Sequence, residues 1–396
     1  MKSNLRFLYT VISALAGISI IYFMAGYGSV ERYAIIFISL FLFYIILQCR
    51  SLNFILIMHL IVGLGIGLLI GCYSLAFFRY DDNLKKETIN IDQNGNTAVL
   101  LIFNGEPITY DLPIQLNNHL RSIKFHKRLQ LPLKLYQNKR AYERIGVSKY
   151  KETSLLIEQR LKKLFTEYYD LYIAYRNDIP YYYQVMGTKL YKENYEKIIV
   201  VPVFLTESDE YKKIVNALSI QQLNFKTSKV KYMVPLWNSE KMVKLIVKKV
   251  DDALEDYHPS DVGIILLGTY ISNSEDKSPS GKKEEYLFME SVKSVLTDRG
   301  FDERKIKLDD TYLREQDING KIEEMQEYGV GRVILVYVGD ICDTIENQDR
   351  LERMITSLEI DTDVDIHYIS GWGDNQLLVD ELEYRIRLMN VESWND

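Results

Sequence analysis

Three stretches of this chain contain no Asp, Glu, Lys or Arg: residues 7–24 (FLYTVISALAGISIIYFM), 33–48 (YAIIFISLFLFYIILQ) and 54–78 (FILIMHLIVGLGIGLLIGCYSLAFF). Each approaches the roughly 20 apolar residues that cross a bilayer as a helix. Backbone polar groups in hydrocarbon must be satisfied within the segment, so helices are the expected conformation. The stretches predict a multi-pass membrane domain over residues 1–80, with the lipid bilayer as its first partner, and leave residues 81–396 to fold in water.

The first run follows Lys2 and Arg6, as the apolar region of a secretory signal peptide would, but it is longer than such regions usually are and two more runs follow. The second run has only 16 residues, and Cys49–Asn53 alone separates it from the third. A tight hairpin of two spans or a re-entrant pair both fit. Lys2, Arg6 and Arg50 fall on one side of a three-span arrangement, and Arg32, Arg79, Lys85 and Lys86 on the other. Three against four leaves the orientation open.

Cys49 and Cys72 lie in or beside the spans, which leaves Cys342 alone in the polar part and no disulfide framework to read. A formal net charge of −6 lacks the basic excess of a general nucleic-acid binder, and that class is excluded.

After a polar connector at 81–96, short β-rich runs alternate with amphipathic stretches of helical length. Strands are predicted at 98–103, 171–175, 197–204, 230–235, 262–267, 332–338 and 365–369. Most are continuously apolar, as in a parallel sheet covered on both faces. Helices are predicted near 149–167, 180–194, 207–220, 239–256, 282–299, 317–328, 343–358 and 376–389, and Ser272–Lys283 is expected to be a mobile loop. The alternation implies right-handed crossovers and a Rossmann-like α/β fold. AVLLIFNGEP from Ala98 and VGIILLGTYIS from Val262 open similarly, so two α/β lobes are expected at 97–260 and 261–396, with a cleft at the strand carboxyl ends. Neither GxGxxG nor GxxxxGK[ST] occurs, so a nucleotide site has no motif support.

Five fragments resemble the class II chelatases, chiefly ferrochelatase. LLIFNGEP at 100–107 resembles that family's opening strand and Gly-x-Pro turn, and IGVSKYKE at 145–152 its Ile-Gly-Gly-x-Ser-Pro-Leu segment. AYRNDIPY at 174–181 matches an Arg-Tyr-x-x-Pro turn through Arg176 and Pro180, and VPVFLTES at 201–208 resembles a strand end through Pro202 and Ser208. YVGDICDTIENQDRL at 337–351 is similar to Gly-Phe-x-x-Asp-His-x-Glu-Thr-Leu, with Gly339, Asp343 and Glu346 in register.

The resemblance implies a chelatase-like fold over most of Ala98–Leu388, and a divalent metal or a tetrapyrrole as ligand. It implies that Glu346 is the catalytic carboxylate and that Asp343 and Glu346 meet the metal. Asn104, Arg176, Phe204 and Tyr270 become candidate ligand contacts. The departures bear on chemistry. Where the family ends a strand in Ser-Ala-His-Gly-x-Pro, this chain has Thr269, and the histidine after the matching aspartate is Thr344. A threonine hydroxyl is a poor base and a poor ligand for ferrous iron, whereas a neutral imidazole serves as either near pH 7.

Each candidate also has a structural reading. Asp343 would cap a helix and Glu346 complete the capping arrangement. Asp340, Asp343, Glu346 and Asp349 recur every three residues and are expected to form a solvated acidic face, since the next four-residue rung after Glu346 is Arg350. His119 and His126 are expected to be exposed, His258 and His367 have no partner in sequence, and the tyrosines Tyr168, Tyr169 and Tyr181–Tyr183 are expected to pack in the core. Arg176 would hold a propionate or brace the turn before Pro180.

Three functions are therefore in view: a non-catalytic tetrapyrrole-binding or scaffold protein, a divergent metallochelatase using Glu346, or a two-lobed sensor within a membrane protein complex.

Overall fold

The computed structural model describes residues 2–48, 53–78, 94–122, 125–165, 168–222, 228–268, 279–309, 315–357 and 364–394. Its contacts divide the chain into two compact units, Met1–Asp82 with Pro107–Val147, and Asn83–Glu106 with Ser148–Asp396.

The first unit opens with α1 (Lys2–Ala25), α2 (Ser29–Gln48) and α3 (Phe54–Ser74), the last extended by a 3-10 turn at Leu75–Phe78. All three are long and apolar enough to cross a membrane. Asn53 caps α3 by accepting the Leu56 N–H. Glycines let α1 and α3 approach closely and in parallel: a Cβ on Gly63 would meet the Thr10 carbonyl oxygen at 2.3 Å, and one on Gly67 the Ala14 carbonyl oxygen at 2.0 Å. Small residues serve this purpose between membrane helices, where apolar burial gives no drive to associate.

Two further helices, α4 (Leu112–Ser122) and α5 (Leu131–Ile145), belong to the same unit. The sequence predicts a first lobe over 97–260 with no element between 107 and 147. The helices bury Leu116, Leu131 and Leu135 against Ile21, Ala25 and Leu75, a long-range contact that local periodicity does not announce. Pro132 at the start of α5 is compatible with a helix because the first-turn N–H groups have no intrahelical acceptor.

The second unit holds two sheets. In the first, β1 (Asn94–Phe103) is followed by α6 (Tyr150–Leu164), β2 (Tyr169–Tyr175), short helical turns α7 (Tyr182–Val185) and α8 (Tyr191–Glu193), β3 (Tyr195–Pro202), α9 (Asp209–Gln222), β4 (Lys229–Tyr232) and α10 (Glu240–Asp252). In the second, β5 (Val262–Leu267) is followed by α11 (Pro279–Asp298), β6 (Ile306–Asp309), α12 (Glu315–Glu327), β7 (Arg332–Tyr337), α13 (Ile345–Ser357), β8 (Asp365–Ile369) and α14 (Gln376–Val391).

All pairings are parallel, and the orders β2-β1-β3-β4 and β6-β5-β7-β8 are the same arrangement used twice. Leu100 pairs with Val200 in one sheet and Ile264 with Ile334 in the other. Both sheets are covered on both faces. Val99, Leu101 and Phe103 share one core with Ile264, Leu266, Ile334 and Val336, whereas Leu100 and Ile102 face Val185, Met186, Ile214 and Leu218, and Ile265 and Leu267 face Ile318, Ile322 and Met325. Two apolar faces explain the continuous runs.

β6 escaped the sequence reading because it is a four-residue edge strand whose Lys307 and Asp309 interrupt the apolar pattern. The expected loop at 272–283 lies largely outside the described residues, and its final part, from Pro279, opens α11.

Candidate functional site

Within the second unit, the loops leaving β1 and β7 bring a set of acids together. After Phe103 the chain continues Asn104-Gly105-Glu106. Gly105 has φ +76°, and a Cβ there would meet Tyr175 at 2.7 Å, so this turn requires glycine. It is tied to the end of β2 by the Arg176 N–H to the Phe103 carbonyl (2.9 Å) and the Asn177 N–H to the Asn104 carbonyl (2.7 Å). After Tyr337 the chain continues Val338-Gly339-Asp340. That loop is pinned by the Trp372 backbone N–H to the Asp340 carbonyl (3.0 Å) and by the Trp372 indole N–H to the Val338 carbonyl (2.7 Å). Gly371, at φ +101°, approaches the Asp340 carbonyl too closely for any side chain.

Asp340 is the centre of the network. Its Oδ1 accepts the Tyr150 hydroxyl at 2.7 Å and its own loop's Ile341 N–H at 2.7 Å, and its Oδ2 accepts the Asn104 amide at 2.6 Å. Burial pushes its carboxyl up to about 6 despite these donors. Glu106 accepts the Ile345 N–H, at the start of α13, with both carboxyl oxygens at 3.1 Å. A helix N-terminus favours an anion. Burial nevertheless dominates, and with Asp343 and Glu346 adding like charge it pushes Glu106 up to about 8, against bonds from Ser148 and Ile345 that lower it. Asp343 is fully buried, accepting the Thr344 N–H at 2.9 Å and the Tyr368 hydroxyl.

Several expectations are corrected here. The acids of the 340–349 stretch are not a solvated face: Asp340, Asp343 and Asp349 are buried, Asp349 pairing with Arg353 at 2.7 Å, and only Glu346 reaches solvent. Asp340 and Asp343 lie in the loop before α13, where Asn104, Tyr150 and Tyr368 bond them, and only Glu346 and Asp349 belong to the helix. The helix cap is Thr344, whose hydroxyl accepts the Asn347 N–H at 3.3 Å, and not Asp343, which precedes the cap.

Glu346 stands in the first turn of α13 with its carboxylate 3.4 Å from Arg350. Asn104 spends its amide on Asp340, and Phe204 is buried in the core with Tyr211 and Ile214. Arg176 lies 3.6 Å from the Glu210 carboxylate. Thr269 and Tyr270 lie outside the described residues. Asp343 and Glu346, the two expected metal ligands, thus take different partners. Among the described residues no three His, Cys, Asp or Glu side chains group to hold a metal ion. Cys342 is buried and its thiol is pushed up to about 12 by burial and the surrounding carboxylates, so it stays protonated and a weak ligand near neutral pH.

Among the described residues no two histidines share a site. His119 is half-buried rather than exposed, and burial with nearby Lys134 lowers it to about 4. The side chain of His126 lies outside the described residues. His258 bonds Ser260 at 2.9 Å and His367 lies 3.3 Å from Arg332. Tyr181 is fully buried, whereas Tyr168 is exposed.

Sequence reasoning missed Glu106, Tyr150, Asp340 and Tyr368 as one group. A signal existed: both strands run into x-Gly-acid, Asn104-Gly105-Glu106 and Val338-Gly339-Asp340, at the carboxyl ends where α/β sheets place their functional groups.

Residues 174–253 match the family described as CbiX. No curated protein matches the chain. Among solved structures, SirB from Bacillus subtilis with Fe3+ is similar at 12% identity and TM-score 0.50, covering 75% of this chain and 96% of that one. The sirohydrochlorin chelatase SirB from Bacillus subtilis subspecies spizizenii in complex with cobalt is similar at 12% identity and TM-score 0.46, over 74% and 94%. A multi-domain protein of Deinococcus radiodurans with structural similarity to chelatases is similar at 15% identity and TM-score 0.46, over 74% and 55%. The SirB likeness covers nearly all of that chain and shows a chelatase-like fold.

Proposed function

We propose that this is a membrane-anchored chelatase-fold protein that binds a tetrapyrrole and does not insert metal into it. The observation that carries the reading is the state of the acids at the strand ends: Asp340 and Asp343 already accept five hydrogen bonds from the protein itself. Metal delivery requires ligands that are free to exchange, and proton removal requires a base open to the substrate. Thr269 in place of the family's histidine supports the same conclusion by residue type. Anchoring rests on the three apolar helices.

The test is an absorption and fluorescence titration of the full chain in detergent with sirohydrochlorin and with protoporphyrin. A saturable band shift is expected, and a spectrum unchanged at all concentrations would refute the binding claim.

A second reading has one observation in its favour. Glu346 is half-exposed at the amino end of α13, where a carboxylate is electrostatically favoured and solvent reaches it. On that reading the protein is an active metallochelatase, and Glu346→Gln lowers a measurable insertion rate.

A further inference from the structure

The segment Pro107–Val147, which clusters with the membrane helices, carries eight Lys or Arg against only Asp111 and Glu143. Its formal charge of +6 stands in a chain whose net charge is −6, so positive charge is concentrated in about a tenth of the sequence.

The structure attaches this segment to one end of the spans. The Tyr110 hydroxyl donates to the Ala25 carbonyl at 2.7 Å, where α1 ends. Lys139, fully buried in α5, donates to the Phe23 carbonyl at 2.8 Å and pairs with Glu31, in the first turn of α2, at 3.1 Å. Leu116, Leu131 and Leu135 pack on Ile21, Ala25 and Leu75. Arg121, Arg140 and Arg144 are exposed, and so are the apolar Ile108, Leu129, Leu133 and Val147. Exposed Tyr27 and Phe77 lie at the ends of the same spans, where aromatic rings favour the headgroup region.

Exposed apolar side chains beside an excess of Lys and Arg, held at a span end, form the pattern of a helix lying in the interface of an anionic leaflet. We infer that Pro107–Val147 is a basic collar that rests on anionic lipid headgroups and fixes that end of the spans on the cytoplasmic side. The positive-inside preference counts basic residues close to the span ends. Sequence order alone weighed three against four, whereas the fold adds Arg121, Arg128, Lys134, Arg140 and Arg144 to the side of Ala25 and Phe78. This inference rests on the membrane-anchored reading.

The experiment places the full chain in nanodiscs of phosphatidylcholine alone or with added phosphatidylglycerol and follows hydrogen exchange of the α4 and α5 amides. Exchange roughly tenfold slower in the anionic discs is expected, an effect lost at high salt and in the combined variant Arg121→Gln/Lys134→Gln/Arg140→Gln/Arg144→Gln. Equal exchange in both lipids overturns the collar. Trypsin should cut the segment in inverted but not in right-side-out membrane vesicles, and the reverse pattern overturns the sidedness. Alkaline carbonate extraction separates the two levels: a chain retained in the membrane but indifferent to lipid charge refutes only the collar, whereas a chain released without detergent refutes the anchoring itself.

Discussion

The Tyr150 hydroxyl donates to Asp340 across 190 residues of sequence, at 2.7 Å, joining the helix after β1 to the loop after β7. Both side chains are buried, so neither group can replace this bond with water. Tyr150→Phe keeps the ring and removes the donor, leaving Asp340 with the Asn104 amide and the Ile341 N–H. A loss of about 1–3 kcal/mol in unfolding free energy is expected, measured by urea unfolding of the full chain in detergent. Unchanged stability would contradict a stabilising role for this bond.

The acids also predict a pH dependence. Asp340 titrates near 6 and Glu106 near 8, each above its usual carboxyl value of 3.8 or 4.5, so the folded state binds these protons more tightly than the unfolded chain. Their contribution to stability is fully present below those usual values, and is lost as pH rises through about 6 for Asp340 and about 8 for Glu106. Stability should therefore fall between about pH 5 and pH 8, with Glu106 supplying up to about 1.4 kcal/mol per pH unit. Glu106→Gln removes that share, and thermal unfolding of the variant at several pH values should trace a flatter profile. An identical profile would place the titrating group elsewhere.

In the membrane helices, Gly67 and Gly65 make opposite predictions. A Cβ at Gly67 falls 2.0 Å from the Ala14 carbonyl oxygen, whereas one at Gly65 meets nothing within 4 Å. Gly67→Val must push α1 and α3 apart, and a lower melting temperature in detergent with reduced folded yield is expected. Gly65→Ala should match the parent protein, because an added methyl there costs no contact and favours the helix. Equal behaviour of the two variants would contradict parallel α1–α3 packing.

The architecture was largely legible because both sheets are covered on two faces, so that β1, β3, β5 and β7 appear as unbroken apolar runs with amphipathic helices between them. What escaped has physical causes. α4 and α5 take their apolar contacts from Ile21, Ala25 and Leu75, which lie far away in sequence. Asp340 and Asp343 look like surface acids in a polar stretch, and only the fold shows Tyr150, Asn104 and Tyr368 converging to bury them. Glu346 was the residue favoured by resemblance, yet it is the acid that faces solvent beside Arg350.

The central claim, a chelatase fold that binds without metallating, is tested most directly by one rate. The full chain in detergent is mixed with sirohydrochlorin and Co2+, or with protoporphyrin and Fe2+ under anaerobic conditions, and the absorption of the metallated macrocycle is followed against a protein-free control. A rate indistinguishable from the control and unaltered by Glu346→Gln is expected. Catalytic turnover that Glu346→Gln abolishes would contradict it and establish the enzyme.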